Sequence, residues 1–417
     1  MDAINNSFSR TGDAVLGKGK VQSAELEMVG MREILKFTGA SILNNVPILA
    51  CVTPTPQTGA FFMALNRLGA DIAACSDNRF ATDDDVVAYL NSEGIPVFAK
   101  SNMTLAEYHR AMDLAIDCHA NKQLIQIVDD GCDITTYIAK SRPDVLRDVR
   151  AVTEQTTCGI NFLKTLYKDD LLPVPAVNIN HSYIKKWFDN YIGIQQSLIH
   201  AFSNAHISIA GKKVAVIGFG AVGKGAAKAL RCNGVSVGVV DKDITMLMQA
   251  ELEGYDVISL AQALRDYDIC ITATGCIDTI TKQDVETHAR DGLMLINIGH
   301  GDKEFCYKEL TAQNMRTLNS HIDITTLDDG REIFSLCKGA LFNFLAGGGN
   351  PSAVMGLTFT LELLAHVQIA RGEYDNAENS IHRLSASTEI SAVELNFPHL
   401  IKMQSKLSLS QEAYMHE

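Results

Sequence analysis

Residues 214–225 read VAVIGFGAVGKG, and few stretches leave a chain so little choice. An apolar run ends at Gly218, and Gly220 and Gly223 complete a G-x-G-x-x-G that opens into AAKALRCNG. A strand, a tight turn and a helix must meet there. The first glycine makes the turn, the second lets an anion approach the backbone, and the third lets the helix sit against the strand. The helix N-terminus then faces a pyrophosphate. Alone, such a fingerprint is a weak signal, and a nucleotide-like fold with an empty site is the bland alternative. Here the next strand, VSVGVVD, ends on Asp241, 23 positions after Gly218. A carboxylate at that place holds a ribose 2′-hydroxyl, which favours NAD over NADP. Neighbouring Lys242 works against that preference. The unit continues through YDICITATG and GLMLINIGH to about Phe344.

Upstream, helix and strand patterns alternate. VPILACVTPT (46–55) is a short apolar run ending in turn residues, which suits a buried parallel strand. TGAFFMALNRLGADI follows as an amphipathic helix and ADIAACS as the next strand. IPVFAKS (95–101), LAEYHRAMDLAIDC and LIQIVDDG repeat the cycle. That order predicts an open parallel sheet with ligands beyond the carboxyl ends of its strands. From Pro351 the pattern turns mostly helical, beginning SAVMGLTFTLELLAHVQIARGEY. The expected class is α/β: two open parallel-sheet domains, the second a Rossmann NAD-binding domain, with a helical C-terminal segment. Residues 1–190 are expected to form a substrate-binding domain completed by 352–400, residues 191–351 the NAD domain, and residues 401–417 a short tail.

Charge and composition narrow the partners. A net charge of −13 without any basic cluster argues against a nucleic-acid surface. No run of about eighteen apolar residues is present, so no membrane span is expected. The start, MDAINNSFSRTGD, lacks the apolar core of a signal peptide. Ten cysteines without a C-x-x-C pair read as thiols of a reducing, cytoplasmic compartment.

Several stretches could carry chemistry. In NINHSYIKKWFDN (178–190), Lys185 and Asp189 are four apart and share one face of a helix. A surface ion pair of little worth is one reading. A partly desolvated lysine beside a carboxylate, tuned to move protons to and from a hydroxyl, is the other. Intervening Trp187 and Phe188 favour burial, but spacing does not separate the two readings. VDDGCD (128–133) puts Asp129, Asp130 and Asp133 at the end of a strand, where acids cap the next helix or serve a site. No metal site is expected, because no histidine or further acid is close enough to complete one. EQTTCG (154–159) offers the hydroxyls of Thr156 and Thr157, INIGH (296–300) ends on His300, and AGGGNPS (346–352) lets a backbone approach a ligand.

Taken in order, VDDGCD, EQTTCG, NIN…K…FDN, GFGAVGKG, TATGCID, NIGH and LFNF…NPS resemble the S-adenosylhomocysteine hydrolase family from about residue 30 to 415. The resemblance implies a substrate domain and an NAD domain, a small-molecule nucleoside substrate, and a homo-oligomer, tetramer or dimer. It also implies a chemistry. NAD oxidises the nucleoside's 3′-hydroxyl, the ketone acidifies C4′–H, the C5′ group leaves by β-elimination, water adds, and the hydride returns. By the same resemblance Lys185 and Asp189 manage the 3′-hydroxyl proton with Asn190 beside them, while Asp130 and His300 serve the C4′–C5′ region. Thr156, Thr157, Gly220, Val222, Asp241 and Asn343 correspond to positions that hold the cofactor, and the glycine fingerprint adds Gly218 and Gly223.

Departures from the family pattern fall on the other side of the site. Thr53 stands where the family has a histidine, Gln57 where a glutamate reads the adenine amino group, and Gln155 where a glutamate holds ribose hydroxyls. Asn350 replaces a histidine in the loop closing on the nucleoside; Thr55 completes the expected substrate set. Cys158 and Ile194 replace a threonine and a cysteine near the cofactor, and the family's tail, which reaches a neighbouring subunit's NAD, is expected to be missing after QEAYMHE. Three functions follow as expectations: hydrolysis of S-adenosylhomocysteine, the same oxidation and elimination on another nucleoside or C5′ leaving group (stopping at the alkene or not), or non-catalytic NAD-binding regulation.

Overall fold

The computed structural model describes Phe8 and residues 12–39, 41–312 and 314–415. Residues 416 and 417 of the expected tail, 1–7, 9–11 and 40 of the expected first domain, and 313 of the expected NAD domain lie outside the described residues.

Short apolar runs become strands because a parallel sheet is covered on both faces. The first sheet takes β1 (Pro47–Cys51), β2 (Asp71–Cys75), β3 (Val97–Phe98), β4 (Ile125–Asp129), β5 (Val149–Glu154) and β6 (Ala176–Asn178). β1 and β4 are buried at every position. The second takes β7 (Lys213–Ile217), β8 (Ser236–Val240), β9 (Asp256–Val257), β10 (Ile269–Thr272), β11 (Leu293–Asn297), β12 (Asn314–Asn319), β13 (Ile322–Thr326) and β14 (Glu332–Leu336). A last strand, β15 (Ile381–Arg383), returns to the first sheet.

Strand order in the first sheet is β15-β6-β5-β4-β1-β2-β3, every pair parallel. Order reverses between β1 and β4, and the loops leaving those two strands open a crevice at their carboxyl ends. The second sheet runs β12-β13-β14-β11-β10-β7-β8-β9, with its reversal between β7 and β10. The glycine loop leaves β7 at that point.

Two details differ from the expectation. The second sheet is mixed: β12 and β13 form an antiparallel hairpin, and β13 pairs antiparallel with β14. Antiparallel neighbours need only a short turn, and Asn319 to Ile322 supplies it. The C-terminal segment is not helical throughout, since β15 adds an edge strand beside β6. Its helix Ser352–Ala370 is long and apolar enough to cross a membrane by length and composition, but it is largely buried and packs in the core of the first sheet's domain. None of the ten cysteines is paired; Cys232 and Cys276 are exposed.

Candidate active site between the two sheets

The glycine loop shows which residue serves the fold and which leaves room. Gly218 has φ +99°, a left-handed conformation, and a Cβ on Gly223 would sit 1.8 Å from the Gly218 carbonyl oxygen. Both glycines are therefore steric requirements of the turn. At Gly220 a Cβ would meet nothing within 4 Å, so this glycine faces open space at the head of the helix Ala221–Cys232. Asp241, just past β8, accepts hydrogen bonds from Phe219 N (2.6 Å) and Asp243 N (2.8 Å), which ties the acid to the loop. The open cleft beside the loop runs from Gly220 and Val222 to Thr156, Thr157 and Cys158 on the first sheet. These groups fit NAD: an open glycine cradle at a helix N-terminus, and an acid positioned by that cradle.

The neighbouring cavity lies in the β1/β4 crevice. Thr53, Thr55, Gln57, Asp130, Gln155, Asp189, Asn343 and Asn350 line it. Thr156, Lys185, Asn190, Val222 and His300 line both spaces, so the cavity and the cleft meet at Lys185. Two buried polar atoms on the cavity wall have no hydrogen-bond partner, Gln155 Nε2 and Asn343 Oδ1. A buried orphan donor costs about 1–3 kcal/mol unless something satisfies it. Gln155 is 1 % exposed, so that something must come from inside the cavity.

Lys185 and Asp189 are not a surface pair. They are 7 % and 2 % exposed and hydrogen-bond to each other in a π-helix, Lys185–Gly193. π-Helical turns are costly and short, and they recur at functional sites. Asp189 Oδ2 also accepts from the Thr358 hydroxyl (2.9 Å), and its Oδ1 from Asn350 Nδ2 (2.6 Å). Burial pulls the Lys185 pKa down, but Asp189 and then Asp130 more than offset it, and the net shift is upward. Asn190 donates to Asn180 Oδ1 at 3.4 Å.

The VDDGCD acids divide their work. Asp129 is a cap: it accepts from the backbone N–H groups of Asp130, Asp133 and Thr135. Asp133 accepts from the Tyr108 hydroxyl. Only Asp130 lines the cavity. Burial raises its pKa, with Lys185 and His300 pulling the other way. A Cβ on Gly131 would lie 3.3 Å from His300 Cε1, so this glycine lets the second domain's imidazole close over the first domain's acid. Glu154, fully buried, ties the backbone of Gly131 and Cys132 to Thr156.

Some predicted side chains are occupied differently than expected. The Thr156 hydroxyl is taken by Glu154, Gly131 N and Gly159 N, and Thr157 accepts from Asn180. Thr55 caps the helix Pro56–Arg67. Asn350 lines the cavity, where its Nδ2 donates to Asp189 and its Oδ1 accepts from Ser197 (3.0 Å). Its amide nitrogen braces the acid, which leaves the second lone pair of Oδ1 for a ligand. Gln57 Nε2 points to the Asn350 carbonyl (3.4 Å) and Ser352 Oγ (3.2 Å). Sequence reasoning missed Asp77, two residues past β2 and on the cavity wall, although the carboxyl-end rule would have found it. It also missed Thr358, for which spacing gave no signal. Among the described residues no group of three His, Cys, Asp or Glu could hold a metal ion.

The chain matches the family model described as S-adenosyl-L-homocysteine hydrolase over residues 8–144. It matches that for the S-adenosyl-L-homocysteine hydrolase NAD binding domain over residues 190–349. Among solved structures, a dipicolinate synthase chain from Bacillus halodurans is 13 % identical, with 79 % of this chain and 98 % of that chain covered and a TM-score of 0.45. NAD-dependent formate dehydrogenase from Staphylococcus aureus in complex with NAD is 10 % identical, with 64 % and 78 % covered and a TM-score of 0.38. At those values neither says anything about chemistry here.

Proposed function

Because this chain belongs to the S-adenosyl-L-homocysteine hydrolase family, with NAD as its cofactor, we propose that it oxidises a bound purine nucleoside at C3′, eliminates the C5′ group and adds water. The observation that carries this reading is the buried Lys185–Asp189 pair at the junction of cavity and cleft.

NAD in the cleft supplies a hydride acceptor for C3′. The 3′-hydroxyl must lose its proton as the hydride leaves, and that needs a positioned base. Lys185 is the base. Burial lowers its pKa, but Asp189 and Asp130 more than offset this and favour the ammonium. It also lines the cleft, where the positive charge of a bound nicotinamide would oppose its own and favour the free amine. Asp189, fixed by Thr358 and Asn350, holds Lys185 in place. Asp130, under His300, takes the C4′ proton that the 3′-ketone acidifies. Gln155 Nε2 donates to a ribose hydroxyl, which satisfies an otherwise orphaned buried amide.

Gln57 bears on the base. A carbonyl can only accept, so the contact with the Asn350 oxygen puts the amide nitrogen on that side and leaves Oε1 for the ligand. An acceptor there suits an exocyclic amino group, so the nucleoside we propose is S-adenosylhomocysteine or another 6-aminopurine compound. The 6-oxo purine analogue is the second reading.

The test is to mix the NAD-loaded protein with S-adenosylhomocysteine and, separately, its inosine analogue, following nicotinamide absorbance and free thiol. Reduction and thiol release with the adenine compound support the proposal. No nicotinamide reduction by any nucleoside would overturn it; faster turnover of the inosine compound would overturn the choice of base.

A further inference from the structure

Asp77 stands apart from the groups assigned so far. It follows β2, while Thr53 follows β1, Asp130 follows β4 and Gln155 follows β5. In the sheet these strands lie in the order β2, β1, β4, β5. One wall of the cavity therefore reads Asp77, Thr53, Asp130, Gln155. Gln155 and Lys185 also line the cofactor cleft, whereas Asp130 and Asp77 line only the cavity. Moving away from the cofactor, the wall meets the C3′ groups first, then the C4′ acid, then Asp77.

The carboxyl is held for use. The Thr53 hydroxyl donates to Asp77 Oδ1 at 2.6 Å, and no hydrogen bond from the described residues holds Oδ2. The Tyr108 hydroxyl approaches the Asp77 carbonyl oxygen at 3.2 Å, and Arg79 bridges to Asp302 at 3.6 Å, two residues past His300. The loop that carries Asp77 is thus tied to the loop that carries His300, and both line one cavity.

We infer that Asp77 is the catalytic acid for the C5′ leaving group, with Thr53 as its positioning residue. This rests on the proposed reaction. Once C3′ is a ketone, with NAD⁺ as the oxidant, the C4′–H bond breaks, Asp130 takes the proton, and the electron pair forms C4′=C5′. The C5′–X bond breaks, X leaves with that bond's pair, and Asp77 gives X its proton. In the hydration half, water's oxygen bonds to C5′, the Asp77 carboxylate takes one of its protons, and Asp130 returns its proton to C4′ as the double bond's pair forms the new C4′–H bond. The local electrostatics agree. Burial first, then Asp130, push the Asp77 carboxyl well above the usual carboxylate range; Asp133 adds to this, while Thr53 and His300 oppose it. A carboxyl that holds its proton more tightly than a free one is suited to donate it to a leaving group.

The experiment uses the full-length, NAD-loaded protein, Asp77→Asn, and two 5′-thionucleosides, one losing a basic alkylthiol and one an acidic arylthiol. The expected result is a loss of ~100-fold or more in alkylthiol release. Arylthiol release, which needs little protonation, and nicotinamide reduction should fall far less, with substrate affinity by calorimetry unchanged. Asp77→Glu should recover part of the loss and Thr53→Val should show a smaller version of it. Equal losses for both leaving groups, or undiminished alkylthiol release, would overturn the assignment of Asp77 while leaving the proposed reaction intact. Failure of the wild type to reduce its nicotinamide would remove both.

Discussion

Asn350 donates a 2.6 Å hydrogen bond from Nδ2 to Oδ1 of Asp189, the carboxylate whose other oxygen is shared by Lys185 and Thr358. A residue of the loop after the second sheet therefore braces the central acid of the first domain's site, and Ser197 fixes the brace. The loop cannot move without loosening Asp189.

Asn350→Ala is expected to slow nicotinamide reduction by substrate about 10–100-fold, because a hydrogen bond to a charged group is worth about 1.5–3 kcal/mol. Discrimination between adenine and hypoxanthine substrates should change little. Stopped-flow absorbance of the nicotinamide is the measurement, and a large change in base preference would contradict the bracing role.

Lys185 and Asp189 should also differ from a surface pair in stability. Asp189→Ala leaves a buried ammonium without its main partner and should cost about 3 kcal/mol in urea unfolding. The double change Lys185→Met with Asp189→Leu should recover much of that, since no charge is stranded. Both variants should lose reduction of the cofactor. An Asp189→Ala protein as stable as wild type would return the pair to the surface-bridge reading.

The glycine loop separates fold from binding. Gly220→Ala adds a methyl facing open space, so the melting temperature without cofactor should stay near wild type while NAD affinity falls. Gly223→Ala drives a methyl into the Gly218 carbonyl and should destabilise the protein itself. Asp241→Asn should weaken NAD and narrow its margin over NADP. Calorimetric titration with each cofactor checks the affinities, and thermal melting without cofactor checks the stabilities; equal melting temperatures for the two alanine variants would contradict the assignment.

Asp129 predicts a pH dependence. Its carboxyl is pushed up from 3.8 to about 7, by burial first, with the Thr135 hydrogen bonds opposing. A raised folded pKa means the proton is bound more tightly when folded. That contribution is fully present below the unfolded value and is lost as pH rises through about 7. Asp129→Asn should flatten this part of the stability profile between about pH 4 and pH 7. Urea midpoints across that window decide it, and an unchanged slope would show the carboxyl is not responsible.

What the sequence determined lies in short range. The strand–glycine–helix–strand–acid order from Val214 to Asp241 specifies a nucleotide half, because each glycine answers a local steric demand. The alternation before it specifies an α/β sheet with function at strand ends. The mixed edge of the second sheet and the late strand β15 were not legible, since pairing partners are chosen across the sheet and not along the chain. Lys185 and Asp189 were legible as four apart, but burial by the helix Ser352–Ala370 and the Asn350 loop turns that spacing into a site. Asn350 and Gln57 could be named as polar residues of the cavity; which amide atoms remained free depended on partners near and far along the chain. Asp77 became meaningful only when strand order placed β2 beside β1, and Arg79 tied its loop to the one after His300. Local stereochemistry is written residue by residue, but hydrogen-bond occupancy and desolvation are properties of everything packed around a group, and only the tertiary structure decides them.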